Sequence, residues 1–422
     1  MNPRDYLAGL EFHGIKLGLD NIRLLLEAAS NPHRDYPVVH VAGTNGKGSV
    51  VAILDAILRA AGCTVARFTS PHLVDVEERF LIDGIPMPAD SLDAQIAYFK
   101  SIADTMPNPP TYFELCTAIA FRWFSQKKVD IALIEVGMGG RFDSTNVVDP
   151  IACAITNIDL EHTAYLGTTV QAIAFEKAGI IKRNVPVVVA ERQPAPLNVI
   201  LDRAAEENSA VLRIGADFHY ALHGDPFAQT IDYTGSRLVI KETPLALAGR
   251  YQGDNAATAL ALAELLMNSY PSITRDAVYE GLASVRWPCR MERVLGDPPV
   301  ILDVAHNPAG MRRLAADLPN CVVVLAVSAD KAAAQMIEAL DPVAEELILT
   351  QFIGNRATPV DSLRTAAGPR PHRVADSLET AIAMGLAAAS EHRPLVITGS
   401  IFTAGQARQI LTGHYGAPPL RF

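Results

Sequence analysis

Short runs of apolar, often β-branched residues alternate along this chain with longer stretches of helical periodicity. Four such runs span 36–42, 129–136, 151–158 and 185–190. Because they are apolar at nearly every position, and not at every second one, both faces of each strand should be buried, as in a parallel sheet covered by helices on either side. The alternation therefore predicts an α/β fold built on a mostly parallel sheet.

The pattern changes twice towards the carboxyl end. Residues 211–243 form short segments separated by turns, which predicts a small β excursion. After the strong breakers at 296–299, the alternation restarts with runs such as 321–327 and 395–398. A chain of 422 residues suits two or three domains. We expect a large domain over 1–290, a linker over 291–298 and a smaller, Rossmann-like α/β domain over 299–422.

The composition disfavours several classes of function. Lys and Arg number 36 and Asp and Glu 46, for a formal net charge of −10, and the basic run typical of nucleic-acid-binding proteins is missing. The five cysteines are widely spaced and lack a CxxC pair, which favours a reduced cytoplasm. Charged residues interrupt the first apolar residues, and no stretch approaches the ~20 apolar residues of a transmembrane helix. We therefore expect a cytoplasmic protein that binds neither nucleic acid nor membrane.

The most informative segment is 40–49 (HVAGTNGKGS), which lies between a predicted strand and a predicted helix. Its glycines would let the loop curl so that backbone N–H groups face a phosphate, while Lys47 and the helix N-terminus add positive potential. The hydroxyl of Ser49 could then ligate Mg²⁺. The alternative is a glycine-rich turn with a surface lysine. Unlike the ordinary phosphate loop, this one has Val41 near its start and Gly48 between Lys47 and Ser49.

The motif GTNGKGS at 43–49 resembles the phosphate loop of the Mur ligase superfamily, specifically its folylpolyglutamate synthase and dihydrofolate synthase branch. Further matches follow the family's order along almost the whole chain: Tyr6, Leu7 and 14–19; 69–73, Glu78 and Arg79; 111–114; 135–146; 161–163; 176–182; Gln252 and 255–257; Trp287, Pro288 and Arg290; Asp303 and 305–308. The chain departs from the family pattern at four positions: it has Glu161 in place of Asp, Tyr251 in place of His, and Cys289 and Val304 in place of Gly. These departures bear on substrate range and not on catalysis, since none removes a group assigned to phosphate or metal.

Glu135 and His162 are candidates for a metal site. Glu135 ends one predicted strand and His162 follows the next, so both would emerge at the carboxyl edge of the sheet, where α/β proteins bind ligands. A hard carboxylate oxygen suits Mg²⁺, although a glutamate that caps a loop amide and a structural histidine are the alternatives. The resemblance implies two Mg²⁺ ions, held by Ser49 or Ser70 together with Glu135 and His162. It also implies that Lys177, otherwise an ordinary helix lysine, is carbamylated and so offers an anionic oxygen to the metal.

The resemblance assigns further residues to the nucleotide and to the phosphoryl group. Arg290 could neutralise phosphate oxygens, Asp303 could accept the ribose hydroxyls, and His306 could stabilise the transferring phosphoryl group or orient the incoming amino acid. Asp303 and His306 also fit a purely structural strand-to-helix turn. The residues that the resemblance places around ATP are Gly43, Thr44, Asn45, Gly46, Lys47, Gly48, Ser49, Asn255, Arg290 and Asp303, and the catalytic residues it implies are Lys47, Lys177 and His306.

Four residues are candidates for substrate binding. Thr111, Phe113 and Asp143 combine a stacking face with a carboxylate that can pair with ring N–H groups, as a pterin requires. Phe113 fits an ordinary core position equally well. The resemblance matches Ser400 to a serine implicated in glutamate binding.

Together these features predict an ATP-dependent amide ligase. The resemblance implies that a substrate carboxylate is converted to an acyl phosphate, from which L-glutamate displaces phosphate, with dihydropteroate or tetrahydrofolate and its glutamates as acceptors. A monovalent cation is a further candidate cofactor, and we expect a monomer. One alternative is a cell-wall Mur ligase, which carries an additional amino-terminal domain, whereas only about forty residues precede the loop here. Another is a catalytically silent ATP-binding module that regulates a partner.

Overall fold

The computed structural model describes residues 2–10 and 18–422, so the family match predicted at 14–17 lies outside the described residues. Within these residues the largest sheet has eight strands, in the order β4-β3-β2-β5-β1-β6-β7-β8. In chain order they are β1 (Val38–Ala42), β2 (Val65–Phe68), β3 (Phe80–Ile82), β4 (Ile85–Pro86), β5 (Ile131–Glu135), β6 (Ala152–Ile155), β7 (Val187–Val189) and β8 (Val211–Arg213). β3 and β4 run antiparallel at one edge, and the other strands are parallel.

Helices cover both faces of this sheet. They are α1 (Pro3–Gly9), α2 (Asp20–Ala28), α3 (Lys47–Ala60), α4 (Ala89–Ala103), α5 (Tyr112–Lys127), α6 (Thr163–Leu166), α7 (Val170–Ala178), α8 (Pro194–Glu206), α9 (Gln252–Leu266) and α10 (Arg275–Ser284). One face packs against α3, α9 and α10, and the other against α2, α4, α5, α7 and α8. β1 is buried throughout, with Val39 and Val41 in the first core and Val38 in the second. The prediction of a parallel sheet buried on both faces is confirmed.

The predicted β excursion is a separate antiparallel sheet in the order β11-β10-β9. Its strands are β9 (His219–Asp225), β10 (Ala228–Thr234) and β11 (Val239–Leu245). It begins later than predicted, because β8 pairs in parallel with β7 and so extends the large sheet. β8 is an edge strand with half-buried residues, so it lacks the continuous apolar run that marks the inner strands.

The rest of the chain forms a second, smaller α/β domain. Its sheet has the order β12-β13-β17-β14-β15-β16 and is parallel except for β12. The elements are β12 (Glu292–Gly296), β13 (Pro299–Leu302), α11 (Pro308–Ala315), β14 (Cys321–Leu325), α12 (Ala333–Leu340), β15 (Ala344–Leu349), α13 (Val360–Ala367), β16 (Arg373–Val374), α14 (Leu378–Ala388), β17 (Leu395–Thr398) and α15 (Ile401–Tyr415). The predicted fold class, a large mostly parallel domain with a smaller α/β domain, is confirmed.

The segment 291–298 differs from its prediction as a linker. Most of it is β12, which pairs antiparallel with β13 and therefore belongs to the second sheet. The Gly and Pro residues at 296–299 were interpreted as a break between domains, but they turn the chain within a hairpin. β12 is an edge strand in which Val294 is buried beside half-exposed neighbours, so it lacks a strong apolar signal. The division into 1–290 and 299–422 stays a prediction, with 291–298 now assigned to the second domain.

Two features bear on the expected environment of the protein. All five cysteines lie in the described part of the chain and are free. Over residues 2–10 and 18–422, no helix combines the length and apolar character needed to cross a membrane.

Candidate active site between the two domains

The strand order of the first sheet reverses direction at its centre. β1 lies between β5 and β6, and the chain crosses from β1 to β2 on one side and later reaches β6 on the other. In α/β sheets, ligands bind outside the carboxyl ends of the strands at such a point. The segments that follow β1, β5 and β6 therefore surround the expected site; they are 43–46, 136–143 and 156–162.

The loop after β1 requires glycine at two positions. Gly43 and Gly46 have φ values of +144° and +91°, which side-chain-bearing residues rarely adopt. A Cβ at Gly43 would lie 1.7 Å from Thr156 Oγ1, and one at Gly46 would lie 2.2 Å from Asn255 Oδ1. α3 begins at Lys47, directly after the second glycine. A tight loop that leads into a helix N-terminus is the geometry that binds phosphate in other α/β proteins.

Hydrogen bonds fix this loop to the segment after β6. The N–H of Thr44 donates to the carbonyl of Asn157 at 2.8 Å, and the hydroxyl of Thr156 donates to the carbonyl of Asn45 at 2.7 Å. The side chain of Asn157 also accepts from the N–H of Asn45 at 3.1 Å. Lys47 Nζ donates to two loop carbonyls at 2.9 and 3.2 Å, which places its charge over the loop. Thr156 and Asn157 were not predicted, although they follow a strand just as His162 does.

Glu135 ends β5 and is 5% exposed. Its Oε2 accepts from the N–H of Ser70 at 3.2 Å. Burial raises the pKa of Glu135 above its ordinary value, and the nearby charges of Lys47 and Arg290 oppose that rise. Ser49 is buried in the first turn of α3. The buried carboxylate thus lies within electrostatic reach of two cations, Lys47 at the start of α3 and Arg290 just before β12.

The predicted oxygen donors suit a magnesium ion whose remaining ligands are water and phosphate, and they do not form a metal site made of protein ligands alone. Among the residues that the structure describes, no group of three or more His, Cys, Asp or Glu could hold a metal ion. The candidate donors are the carboxylate of Glu135 and the hydroxyls of Ser49 and Ser70. Mg²⁺ is commonly held by one or two carboxylates, with water and substrate phosphates completing its shell. His162 is exposed at the start of α6, with a φ of +46°, and its role as a ligand stays a prediction.

Lys177 of α7 is 1% exposed and reaches the phosphate loop. Its Nζ donates to Glu161 Oε1 at 2.5 Å and to the carbonyl of Gly43 at 2.8 Å. Burial lowers the pKa of Lys177 to about 8. Burial alone would raise the pKa of Glu161, but the charge of Lys177 holds it at about 2. A carbamate on Lys177 would place an anion beside Glu161 and would require a cation between them, and this modification stays a prediction.

Asp303 follows β13 and is 4% exposed. Its carboxylate accepts from the N–H groups of Met291 at 2.8 Å and Ala305 at 2.7 Å, and from the hydroxyl of Tyr251 at 3.3 Å. Burial raises the pKa of Asp303, and the charge of Arg290 opposes the rise. Asp303 therefore organises its own turn, lies near Arg290 and contacts the first domain.

His306 and Asn307 extend this turn towards the phosphate loop. His306 Nδ1 lies 3.0 Å from the carbonyl of Val304, and burial lowers the pKa of His306 to about 4. Because a carbonyl only accepts, the proton of the neutral ring is assigned to Nδ1, which leaves Nε2 as an acceptor. Asn307 Oδ1 accepts from the N–H of Gly310 at 2.7 Å, and its Nδ2 donates to Asn45 Oδ1 at 3.1 Å. Asn307 lies within a predicted motif, yet its contact with the loop was not anticipated.

Lys331 is a further cation that the sequence did not single out. It lies after β14 and pairs with Asp330 at 2.9 Å. Its charge acts on both His162 and His306, one from each domain. The sequence gives no sign that Lys331 acts on these histidines, because only the fold brings the three residues near one another.

Thr111 and Phe113 both belong to the start of α5. The hydroxyl of Thr111 accepts from the N–H of Glu114 at 3.2 Å, and the carboxylate of Glu114 accepts from the N–H of Thr111 at 2.7 Å, so the pair caps the helix. A Cβ at Gly137 would lie 2.5 Å from the ring of Phe113. Since Gly137 comes two residues after Glu135, the ring borders the site. Contact of these residues with a pterin stays a prediction.

Asp143 and Ser400 make local hydrogen bonds. The carboxylate of Asp143 accepts from the N–H groups of Met138 at 2.8 Å and Thr145 at 3.0 Å, which closes the loop after β5. Ser400 caps α15 by accepting from the N–H of Phe402 at 3.2 Å and is 1% exposed. Asp143 is thus engaged by its own loop, whereas Ser400 Oγ also lies 3.1 Å from Ser328 Oγ. The contacts of both residues with substrate stay predictions.

A small cleft lies between the two domains beside Arg290. Its walls come from the segment after β2, from the region around Trp287 and from the start of α15; they are formed by Thr69, Pro71, His72, Leu73, Glu78, Trp287, Pro288, Arg290, Ile401 and Phe422. The segment 69–73, one of the family matches, therefore faces the second domain.

Known protein families match most of this chain. The Mur ligase middle domain matches residues 41–263, and the Mur ligase glutamate ligase domain matches 289–401. The chain belongs to the Mur ligase family. The first match contains the phosphate loop and Glu135, and the second contains Arg290 and His306. The second match also includes β12, in agreement with the pairing of that strand in the second sheet.

Within the Mur ligase family, the chain belongs to the dihydrofolate synthase/folylpolyglutamate synthase branch. The dihydrofolate synthase/folylpolyglutamate synthase of Bacillus subtilis is 33% identical, over 97% of this chain and 98% of that protein. The Mycobacterium tuberculosis folylpolyglutamate synthase complexed with ADP has a TM-score of 0.91 at 32% identity and covers 99% of each chain. Escherichia coli FolC in complex with DHPP and ADP has a TM-score of 0.89 at 30% identity, over 98% of this chain and 99% of that one.

Proposed function

We propose that this protein is an ATP-dependent ligase that joins L-glutamate to dihydropteroate, to the γ-carboxylate of tetrahydrofolate, or to both. The observation that carries the proposal is the hydrogen bond that joins the candidate residues of the two domains. Asn307, beside His306, donates to Asn45 of the phosphate loop at 3.1 Å. Folate acceptors are supported by the name of the Bacillus subtilis relative and by the Escherichia coli structure with DHPP and ADP.

In the first step, the loop at 43–49 would hold the phosphates of ATP. The N–H groups at the N-terminus of α3 would face the phosphates, and Lys47 and Arg290 would add positive charge. A carboxylate oxygen of the folate acceptor attacks the γ-phosphorus, the bond to the bridging oxygen breaks, and ADP leaves. The acyl phosphate that forms is activated towards amines, whereas a free carboxylate is a poor electrophile.

Two Mg²⁺ ions, held by Ser49, Ser70, Glu135 and His162, would neutralise phosphate charge during this step. The buried carboxylate of Glu135 and the hydroxyls of Ser49 and Ser70 support this assignment, because hard oxygens suit the ion. Lys177, as a carbamate, would add another anionic oxygen next to the phosphate loop.

The nucleoside part of ATP would lie beside Asn255 and Asp303. Asn255 borders Gly46, where a Cβ would meet its side chain at 2.2 Å. Asp303, on the turn after β13, would accept a hydrogen bond from the ribose. The two residues belong to different domains, so one nucleotide would contact both.

His306 suits the second step as an acceptor. Its neutral Nε2 can accept a hydrogen bond from the amine of L-glutamate, but it carries no proton with which to stabilise a phosphoryl group. This geometry supports the second of the two predicted roles, orientation of the incoming amino acid. The amine then attacks the acyl carbon, the carbon–oxygen bond to phosphate breaks, and loss of one amine proton leaves an amide.

The substrate contacts would lie along the cleft between the domains. Phe113, next to the loop after Glu135, offers a face for the pterin, and Thr111 borders the same region. Asp143 would shape this pocket, because its own loop engages its carboxylate. Ser400 would lie near the glutamate. Closure of the second domain would exclude water from the acyl phosphate.

The two rival functions are less well supported. A cell-wall ligase would belong to the same family, but the full-length relatives described above are folate ligases. A silent nucleotide-binding module would not need Glu135, Arg290 and His306 around the loop. We also propose that the protein acts in the cytoplasm, as a monomer, on small-molecule substrates.

One experiment tests the proposal directly. Purified protein is incubated with ATP, Mg²⁺ and L-glutamate, once with dihydropteroate and once with tetrahydrofolate, and the products are weighed by mass spectrometry. A gain of glutamyl residues with one or both acceptors is expected, together with phosphate release that needs both acceptor and glutamate. Folded protein that releases no phosphate with any folate precursor would exclude the ligase function.

A further inference from the structure

Tyr251 lies where the two domains meet near the candidate ribose site. It immediately precedes α9, which carries Asn255 one turn later. Its ring packs against the apolar core of the second domain. Its hydroxyl donates to Asp303 Oδ2 at 3.3 Å. One side chain thus connects the start of α9 with the turn after β13.

The hydrogen bonds of Asp303 leave it little capacity for a ligand. A carboxylate has about four acceptor positions. Within the described residues, Oδ2 accepts from Met291 and Tyr251, and Oδ1 accepts from Ala305. One acceptor position is therefore left, on Oδ1. A ribose with two hydroxyls would find one strong partner here.

The hydroxyl of Tyr251 sets the direction of that remaining position. Of the two backbone donors, Ala305 lies in the turn of Asp303 and Met291 directly before β12, and in the part of the chain that the structure describes Tyr251 is the one donor from the first domain. The ring is closely held, since a Cβ at Gly249 would lie 2.5 Å from it. Without the hydroxyl, each oxygen keeps one backbone donor, Met291 on Oδ2 and Ala305 on Oδ1, and the carboxylate loses the contact that fixes it from the side of the first domain.

We propose that Tyr251 is a positioning residue for nucleotide recognition, whose hydroxyl directs Asp303 Oδ1 at one ribose hydroxyl and so makes the ligase prefer ribonucleotides to deoxyribonucleotides. This inference rests on the proposed function, in which Asp303 binds the ribose of ATP. A directed hydrogen bond to a charged acceptor corresponds to a preference on the order of 10- to 100-fold. A carboxylate held by its two backbone donors alone is directed less closely and retains a smaller part of this preference.

The test compares equilibrium binding of ATP, 2′-deoxy-ATP and 3′-deoxy-ATP, measured by calorimetry. The wild type is expected to prefer ATP over one of the two analogues by about 10-fold or more. Tyr251→Phe keeps the ring and removes the hydroxyl, and it should reduce that preference to less than about 3-fold by weakening ATP binding alone. A folded Tyr251→Phe protein with the wild-type preference would overturn the inference.

Two matched variants separate positioning from general damage. Tyr233→Phe removes another buried hydroxyl bonded to a carboxylate, that of Glu264 at 3.2 Å. Arg250→Ala removes the neighbouring contact between the domains, in which Arg250 pairs with Asp317 at 3.3 Å. Both should keep the wild-type preference even where the melting temperature falls. If Arg250→Ala loses the preference for ATP as completely as Tyr251→Phe does, the preference depends on the alignment of the domains, and the inference is overturned.

Asp303→Asn distinguishes this inference from the proposed ribose contact. If Asp303→Asn loses the preference and Tyr251→Phe keeps it, Asp303 binds the ribose without help from Tyr251, and only the inference fails. If the wild type binds ATP and both analogues equally, the ribose assignment of Asp303 fails and the inference fails with it. Ligase activity with ATP can persist in either case, so the proposed reaction is tested separately.

Discussion

The side-chain amide of Asn307 donates to the amide oxygen of Asn45 at 3.1 Å, and this contact joins the second domain to the phosphate loop. Asn307 also caps α11 by accepting from the N–H of Gly310 at 2.7 Å. The two contacts use different atoms of one side chain, Nδ2 for the loop and Oδ1 for the cap. Substitution can therefore separate them.

Asn307→Ser should lower kcat/KM for ATP by about tenfold and leave stability nearly unchanged. Serine is as good an N-cap as asparagine, but it lacks the amide that reaches Asn45. Asn307→Ala loses both contacts and should cost about 1 kcal/mol of unfolding free energy as well. Steady-state kinetics and urea unfolding measure the two effects. A serine variant that is fully active would show that the contact with Asn45 does not serve catalysis.

Glu135→Gln should reduce kcat by about 100-fold or more, because metal-assisted phosphoryl transfer depends on several kcal/mol of charge stabilisation. The fold should persist, since the glutamine oxygen can still accept from the N–H of Ser70. Phosphate release is measured over a range of Mg²⁺ concentrations. As a control, Glu191→Gln changes a buried glutamate whose carboxylate accepts from the N–H of Gln193 at 2.6 Å. It should lower stability and leave the Mg²⁺ dependence intact; an equal change of Mg²⁺ dependence in both variants would argue against Glu135 as a ligand.

The pair of Glu161 and Lys177 should make stability depend on pH in the acid range. The folded-state pKa of Glu161 is about 2, below its ordinary 4.5. Its contribution to the free energy of unfolding is therefore present above pH 4.5 and is lost as the pH falls towards 2. Glu161→Gln removes this contribution. Urea unfolding in bicarbonate-free buffer should show a stability gap between wild type and variant at pH 6 that shrinks by pH 3. A gap of constant size would contradict the assigned pKa.

Asp55 and Arg67 form a buried ion pair behind the phosphate loop, with 3.6 Å between Oδ2 and Nη1 and 1% exposure of each side chain. Asp55→Asn should cost about 3–5 kcal/mol, because it leaves the guanidinium buried without its counter-charge. The double variant Asp55→Leu and Arg67→Met should recover much of this loss. Asp361→Asn is the control, since Asp361 is 85% exposed in its pair with Arg364, and such pairs contribute little. Urea unfolding measures all four proteins.

The inner strands and the phosphate loop were predictable because one signal determines each of them. A strand buried on both faces must be apolar throughout, so the run at 129–136 marks β5, observed at Ile131–Glu135. β12 escaped prediction because an edge strand needs few apolar residues. The bond between Asn45 and Asn307 joins residues 262 positions apart, and no local pattern encodes such a contact.

The predicted substrate residues show a second limit. A carboxylate such as that of Asp143 can bind a ligand or close a loop, and its chemistry is the same in both cases. Which one happens depends on the donors that the fold brings near, here the N–H groups of Met138 and Thr145. Ser400 is similar, because a hydroxyl before a helix can cap it or face a substrate.

The bonds from Thr156 and Asn157 to the phosphate loop have a consequence for the thermodynamics of ATP binding. Ordering a flexible backbone costs about 1–2 kcal/mol per residue. In this protein that entropy is lost during folding, because 43–46 is already held when the nucleotide arrives. ATP affinity therefore includes a gain that corresponds to no contact with ATP.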